Sequence, residues 1–382
     1  MRAIYLDNAA TSHPKPEAVY RAVDTALRSG GSPARGFYNT ALDADRIVFE
    51  TRELLAEIFN GEASERFVFT ANATMGINQA LFGLLRPGDR VVTTTVEHNA
   101  VARPLWALQD RGVIVVKVAA DSQSGLVTAS ALRAACLAEP TRLLVMTHCS
   151  NVIGALQPID ELGSWCREQG ILFMVDAAQS AGAVPIDLQA NKIDLLAAPG
   201  HKGLLGPQGT GFLYVRDGIE LEPLIYGGTG ANSHSDRQPD ALPEHLESGT
   251  MNLAGLAGLH AALVFLRETG IETIRRHERE LTDRLCRGLG DIADVSLYGP
   301  ENPSQRCAVV SFNMAGQDPS TVGFRLDREF GIAVRVGLHC APDAHRTIGT
   351  YPQGTVRVSP GYFTTEEEIE LFLSAVTQIA AK

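Results

Sequence analysis

Ile171-Leu172-Phe173-Met174-Val175-Asp176-Ala177-Ala178-Gln179 holds five consecutive apolar residues that end in an acid. A second apolar run, 193–198, leads into Pro199-Gly200-His201-Lys202-Gly203-Leu204-Leu205-Gly206-Pro207. Short unbroken apolar runs bounded by glycine and proline read as strands buried on both faces. An acid closing such a strand is poorly solvated unless a cation meets it. Downstream, Lys202 sits in a loop of small residues and offers an amine. The pair suits pyridoxal 5'-phosphate (PLP): Lys202 for a Schiff base, Asp176 to keep the pyridine nitrogen protonated. A structural ion pair at Asp176 and a surface lysine at 202 are the competing readings.

The same grammar extends outward. Strand-like runs fall at 67–70, 90–94, 113–118, 142–147, 171–175, 193–197 and 211–215, with helical spacing between several of them, as at 160–169. Alternating strands and helices predict a mostly parallel sheet covered on both faces. Ligands then bind beyond the carboxyl ends of the strands, where Thr74, Asn151 and Asp176 all lie. After residue 254 the pattern changes to two helices, 256–269 and 271–289. Short strands at 308–313, 332–336 and 355–359 and a closing helix at 365–380 follow, which predicts a smaller α+β domain. The polar, Gly-rich stretch 227–247, with His234, Asp236 and Arg237, reads as a mobile loop or a subunit-contact loop.

With 382 residues the chain can bury a large core. A net charge of −11 argues against nucleic acid and anionic membranes as partners. No apolar stretch is long enough to span a bilayer, and an acid at Asp7 interrupts any signal-like start. A cytoplasmic location is the default expectation. The six cysteines, 136, 149, 166, 286, 307 and 340, form no C-x-x-C pair, so neither a metal site nor a disulfide framework is indicated.

Several residues carry further chemistry. Ala73 and Thr74 open a helical pattern, 75–85, whose amino terminus suits a phosphate; a plain helix cap at Thr74 is the competing reading. His98 follows a strand directly and can stack on a pyridine ring and assist proton transfer, or be a structural histidine. Asn151 can donate to a cofactor oxygen or a substrate carboxylate, or serve a turn. Arg357 is a cation within an apolar strand pattern, suited to clamping an α-carboxylate, unless it lies on an edge with its head in water. Cys340 sits beside His339 and near Arg335; cationic neighbours lower a thiol pKa and make it a nucleophile. The other five cysteines read mostly as small core residues.

Taken together, these segments resemble the cysteine desulfurases of the class V aminotransferase family, the group that includes selenocysteine lyases. The likeness runs from Leu6-Asp7-Asn8-Ala9-Ala10-Thr11 to Arg357 and the last helix. Its most specific parts are Asp176-Ala177-Ala178-Gln179, Gly200-His201-Lys202 and Arg335-x-Gly337-x-His339-Cys340-Ala341. It implies a fold-type I PLP-dependent transferase, α/β, with a mostly parallel seven-stranded sheet in a large domain, 16–255. Residues 1–15 and 256–382 would form the smaller α+β domain that carries the catalytic cysteine. It implies a homodimer. By the resemblance Lys202 is the Schiff-base lysine, His98 stacks on the ring, and Gln179 meets the ring oxygen. Thr74, Ala73 and His201 serve the phosphate, and Thr250 reaches the phosphate of the neighbouring subunit. Asn151, Arg357 and Arg335 hold the substrate. The implied reaction takes L-cysteine to L-alanine, with sulfur carried on Cys340 and passed to a thiol or an acceptor protein. L-Selenocysteine is the alternative substrate, another class V aminotransferase the alternative activity, and a non-catalytic scaffold the remaining option. Three positions depart from the family pattern: Pro199 replaces a serine that binds phosphate, Leu338 replaces a histidine, and Tyr38 closes Arg35-Gly36-Phe37-Tyr38 where histidine is frequent.

Overall fold

The computed structural model describes residues 3–33, 36, 38–230 and 235–381. Arg35, Phe37 and His234 lie outside the described residues. In chain order the elements are β1 (Ile4–Tyr5), α1 (Glu17–Ser29), α2 (Asn39–Phe59), β2 (Phe67–Thr70), α3 (Ala73–Leu84), β3 (Arg90–Thr94), α4 (Asn99–Gln109) and β4 (Ile114–Val118). Then come α5 (Ala129–Leu137), β5 (Leu143–Thr147), α6 (Gly163–Glu168), β6 (Leu172–Asp176), β7 (Leu195–Pro199) and β8 (Gly211–Val215). The remainder is α7 (Leu253–Thr269), α8 (Ile271–Gly290), β9 (Val295–Tyr298), β10 (Val310–Met314), α9 (Pro319–Phe330), β11 (Ile332–Ala333), β12 (Arg335–Gly337), α10 (Pro342–Thr347), β13 (Thr355–Val358) and α11 (Glu366–Ala380).

Seven strands form one sheet in the order β2-β8-β7-β6-β5-β3-β4. The pairs from β4 to β7 are parallel, and β8 alone runs against its neighbours. Alternation along each strand splits its side chains between two cores. Leu144, Met146, Phe173, Val175, Leu196 and Ala198 face one; Leu143, Val145, Met174, Leu195 and Ala197 face the other. Both faces are covered in the middle of the sheet, which is why β5, β6 and β7 carry no polar residue until their ends. Thr70, Thr94, Thr147, Asp176 and Pro199 finish on the same edge, so the loops after them converge.

A four-stranded sheet, β12-β13-β10-β9, packs with α8, α9 and α11 around a third core. The run expected as one strand at 332–336 is two. Ile332 and Ala333 pair with β1, whereas Arg335 to Gly337 pair with β13. The chain changes sheets at Val334. Helix α7 packs on α1 and α2 and contributes Leu256, Leu259, Leu263 and Leu266 to the core of the large sheet. The closing helix begins with a capping box between Thr365 and Glu368.

One expectation fails: Cys149 and Cys307 are joined in a disulfide. They are 158 residues apart in sequence. Local spacing cannot reveal a pair that the docking of the two halves brings together. Among the described residues, no helix is long and apolar enough to cross a membrane.

Candidate active site

Strand β6 ends in Asp176, of which only 1 % is exposed. Its Oδ1 accepts from the Ala178 backbone N–H at 2.9 Å. Its Oδ2 is buried without a partner. Burial pushes the Asp176 pKa up, opposed by the Ala178 hydrogen bond and by the charge of Lys202. The turn after β7 brings Lys202 to the same place. Burial pulls its pKa down to about 8, against the pull of Asp176 and helped by Arg357 and Arg335. An amine so lowered supplies a usable neutral base near pH 8.

His98 is the N-cap of α4, and its Nδ1 accepts from the Ala100 N–H at 3.0 Å. The ring's proton is thereby assigned to Nε2. Burial, then Lys202, Arg335 and Arg357, hold its pKa near 4. His98 is thus neutral with a donor nitrogen free. Behind it, the buried Glu97 accepts from the Thr94 hydroxyl at 2.5 Å and from the Thr147 N–H at 2.9 Å. That carboxylate, missed in the sequence, ties β3 to β5 next to Asp176. Its signal was an acid in the short loop that follows a buried strand.

At α3 the expected cap is displaced. Asn72, not Thr74, caps the helix by accepting from the Met75 N–H at 2.9 Å. Ala73 and Thr74 occupy the first helical positions, and the Thr74 hydroxyl has no hydrogen-bond partner among the described residues. Gly211 permits this approach: a Cβ there would press on the Asn72 backbone at 3.1 Å. His201 Nδ1 is buried without a partner, and burial holds that ring's pKa near 4. Pro199 is the last residue of β7, opposite Gly211. Gln179 Nε2 donates to the Ala9 carbonyl at 3.0 Å. It borders a cavity of about 40 Å3 with Lys202, Glu278 and Cys307.

From the small sheet, Arg357 reaches in, with 2 % of its surface exposed. It is no edge arginine with a wet head: β13 lies between β12 and β10. Its Nη1 donates to the Asn151 carbonyl at 3.0 Å, and its Nη2 to Asp7 Oδ1 at 2.7 Å. The Asn151 side chain in turn donates to the His339 carbonyl at 2.6 Å. Arg335 is the register partner of Arg357 on β12. Cys340 is exposed at the tip of the loop after β12. His339 and Cys340 both adopt left-handed backbone, φ 47° and 59°, a conformation ordinary residues take only when the surroundings enforce it. The surroundings are the Asn151 amide on the His339 carbonyl and the Asn99 N–H on the Cys340 carbonyl at 2.8 Å. Asp7 and Asn99 were not foreseen.

Lys202, Asp176, His98, Asn151, Arg335, Arg357 and Cys340 are therefore neighbours. Cys340 and Arg357 both act on the charge of Lys202. Thr250 is apart: it is exposed and borders a different cavity of about 210 Å3 with Phe69 and Met75. Tyr38 is exposed at the start of α2, and Leu338 is half-buried beside His339. The described part of the 227–247 stretch is tied down, with Gln238 donating to Ser248 and the buried Glu247 paired to Arg52 at 2.6 Å.

A buried carboxylate oxygen and a ring nitrogen, both left without protein partners near one lysine, together with the start of α3, fit PLP. The family model for class-V aminotransferases matches residues 4–372. A probable cysteine desulfurase of Methanothermobacter thermautotrophicus is 38% identical over 99% of this chain and 94% of its own length. One from Pyrococcus abyssi is 35% identical over 98% and 94%. Among solved structures, an apo cysteine desulfurase of Thermococcus onnurineus superposes with a TM-score of 0.92, at 33% identity over 99% of this chain and 95% of that one. A cysteine desulfurase of Escherichia coli gives 0.86, at 29% identity over 98% and 94%. Fold, site and full-length likeness agree: the chain belongs to the cysteine desulfurase family of class-V aminotransferases.

Proposed function

We propose that the protein is a PLP-dependent cysteine desulfurase that converts L-cysteine to L-alanine and leaves sulfur on Cys340. The observation that carries this is the partnerless Oδ2 of Asp176 beside Lys202, with Cys340 in electrostatic reach of that lysine. Asp176 would hold the pyridine nitrogen, Gln179 the ring oxygen, and Thr74, Ala73 and His201 the phosphate; the bound cofactor would make the substrate α-carbon acidic by drawing off electron density. Pro199 offers no donor there, so phosphate binding rests on the α3 amides, Thr74 and His201, with Thr250 supplied by a second subunit.

Arg357 and Asn151 bind the substrate carboxylate, and Arg335 adds positive charge. Lys202, neutral above about pH 8, takes the α-proton. Cys340 as thiolate attacks the substrate sulfur: a sulfur–sulfur bond forms, the Cβ–S bond breaks, and the carbon fragment keeps the electron pair. The Lys202 ammonium formed by taking the α-proton supplies the proton for that fragment, and neutral His98 donates a hydrogen bond from Nε2. Alanine leaves, and Cys340 carries a persulfide for a thiol or an acceptor protein. The exposed apolar residues Tyr20, Leu27, Leu42 and Phe49 on α1 and α2 support a homodimer. The exposed, unpaired Cys340 suits a reducing cytoplasm, and the Cys149–Cys307 disulfide weighs against it. The proposed division is 16–255 and 1–15 with 256–382, with α7 packed onto the core of the larger part.

The test is alanine release from L-cysteine by the PLP-loaded protein, with mass detection of one added sulfur on the Cys340 peptide. Absence of that mass, with alanine still formed, overturns the mechanism.

A further inference from the structure

Asp7 has no part in the reaction just described, yet it is the one acid that makes a hydrogen bond with Arg357 among the described residues. Its backbone is pinned from several sides. The Leu6 N–H donates to the Ala333 carbonyl, Asp7 bridges to Ser359, and the Tyr5 hydroxyl donates to the Asp7 carbonyl at 3.1 Å. The Asp7 carboxylate thus has little freedom, and its Oδ1 stands 2.7 Å from Arg357 Nη2.

The charge balance around Arg357 is uneven. Arg335 lies directly across the β12–β13 ladder and has no ion-pair or hydrogen-bond partner among the described residues. Burial lowers the Arg357 pKa, and Asp7 is the first influence that raises it back. A buried guanidinium facing a second one, without a carboxylate, would be costly and free to swing toward water. The donor count leaves room for a ligand. Of the five N–H groups, one serves the Asn151 carbonyl and one serves Asp7; Nε is buried and without a partner. Three N–H groups remain, enough for a two-point grip on a carboxylate.

We propose that Asp7 is a positioning residue: it fixes the orientation of Arg357 so that its free N–H groups face the α-carboxylate of the amino acid. This rests on the desulfurase reading for the identity of the ligand. Asp7 touches neither Lys202 nor Cys340, so its effect falls on the affinity for carboxylate-bearing ligands and spares the chemical step.

The experiment uses the PLP-loaded protein, with Asp7→Ala, Asp7→Asn and Asp7→Glu beside the parent. Calorimetric titration with L-alanine, the product, reads carboxylate binding without turnover; ethylamine, which lacks the carboxylate, is the control probe. Loss of a charge-assisted hydrogen bond predicts a roughly tenfold or greater rise in the L-alanine dissociation constant for Asp7→Ala. Asp7→Asn should fall between Ala and the parent, ethylamine binding should be unchanged, and KM for L-cysteine should rise while kcat stays within about twofold. The proposal is overturned if L-alanine binds all variants equally. It is also overturned if L-alanine binds more tightly without Asp7, because Asp7 would then compete with the ligand, or if kcat falls while affinity holds. Should Asp7→Ala fail to fold, Asp7→Asn and Asp7→Glu decide the question. A parent that binds L-alanine but never releases it from L-cysteine refutes the desulfurase reading and leaves the role of Asp7 intact.

Discussion

The lysine and the cysteine of this site are held in opposite ways. Lys202 lies in a turn between two buried strands. The carbonyl of His201, just before it, accepts from the Thr11 hydroxyl, the Ser12 N–H and hydroxyl, and the Lys15 ammonium. Cys340 is at an exposed tip, on backbone held by a local turn bond from the Ala341 N–H to the Leu338 carbonyl and by two hydrogen bonds from the large-sheet half. One half of the chemistry is set between buried strands; the other is exposed. Proton removal needs a fixed base, whereas sulfur must travel from a closed site to an acceptor outside it.

The sharpest break of this contrast is Lys202→Ala. Removing the base should cut alanine release about 10⁴-fold, with Cys340 still open to alkylation. Cys340→Ala should lower alanine release by about two to three orders of magnitude while PLP absorbance is unchanged. Equal alanine release from that variant and the parent would mean that the exposed half is incidental.

Acid should strain both halves. His98, His148, His201, His339 and His345 are held neutral by burial, with pKa values near 4, 3, 4, 2 and 4. Below pH 6.5 the unfolded chain takes up these protons and the folded one does not, so stability falls with pH. Glu97 and Glu278, raised to about 8 by burial, and Asp176, also raised, act the other way. The histidines outnumber them, so thermal unfolding of the cofactor-free protein should come at lower temperature at pH 5 than at pH 6.5. A midpoint that is level or higher at pH 5 would contradict the buried, neutral state of these rings.

The smallest effect probes the tether alone. Asn99 is the first residue of α4, where proline is well tolerated, and His98 already has extended backbone, φ −70° and ψ 155°. Asn99→Pro therefore removes one N–H, the donor to the Cys340 carbonyl, and little else. Losing about 1 kcal/mol of restraint should speed alkylation of Cys340 about fivefold and leave PLP binding unchanged. Unchanged alkylation would show that the loop is not held there.

Legibility followed the same division. Asp176, His98 and Lys202 each follow an apolar strand, so the large-sheet half offered them as candidates, beside the structural reading that each also admits. The seven strands of that sheet were legible as short apolar runs, most of them buried on both faces. The strand β9 was missed: Val295–Tyr298 is a half-exposed pattern of four residues. The two-residue β1 was too short to register. The break at Val334 needed knowledge of which sheet each half joins. The Asn99 tether is a backbone N–H, which every residue but proline has, so no letter of the sequence marks it. The Cys149–Cys307 bond and the Asp7 contact are products of tertiary docking alone.

The Asp7–Arg357 contact spans 350 residues of chain. At ~5–20 residues per second of synthesis, Asp7 waits roughly 18–70 s for its partner to be made. The parallel pairing of β1 with β11 is delayed in the same way. A nascent chain can assemble the seven-stranded sheet, and even present Lys202, well before Arg357 exists to pair with Asp7. The order of translation thus withholds this contact until the last strand of the smaller sheet has been made.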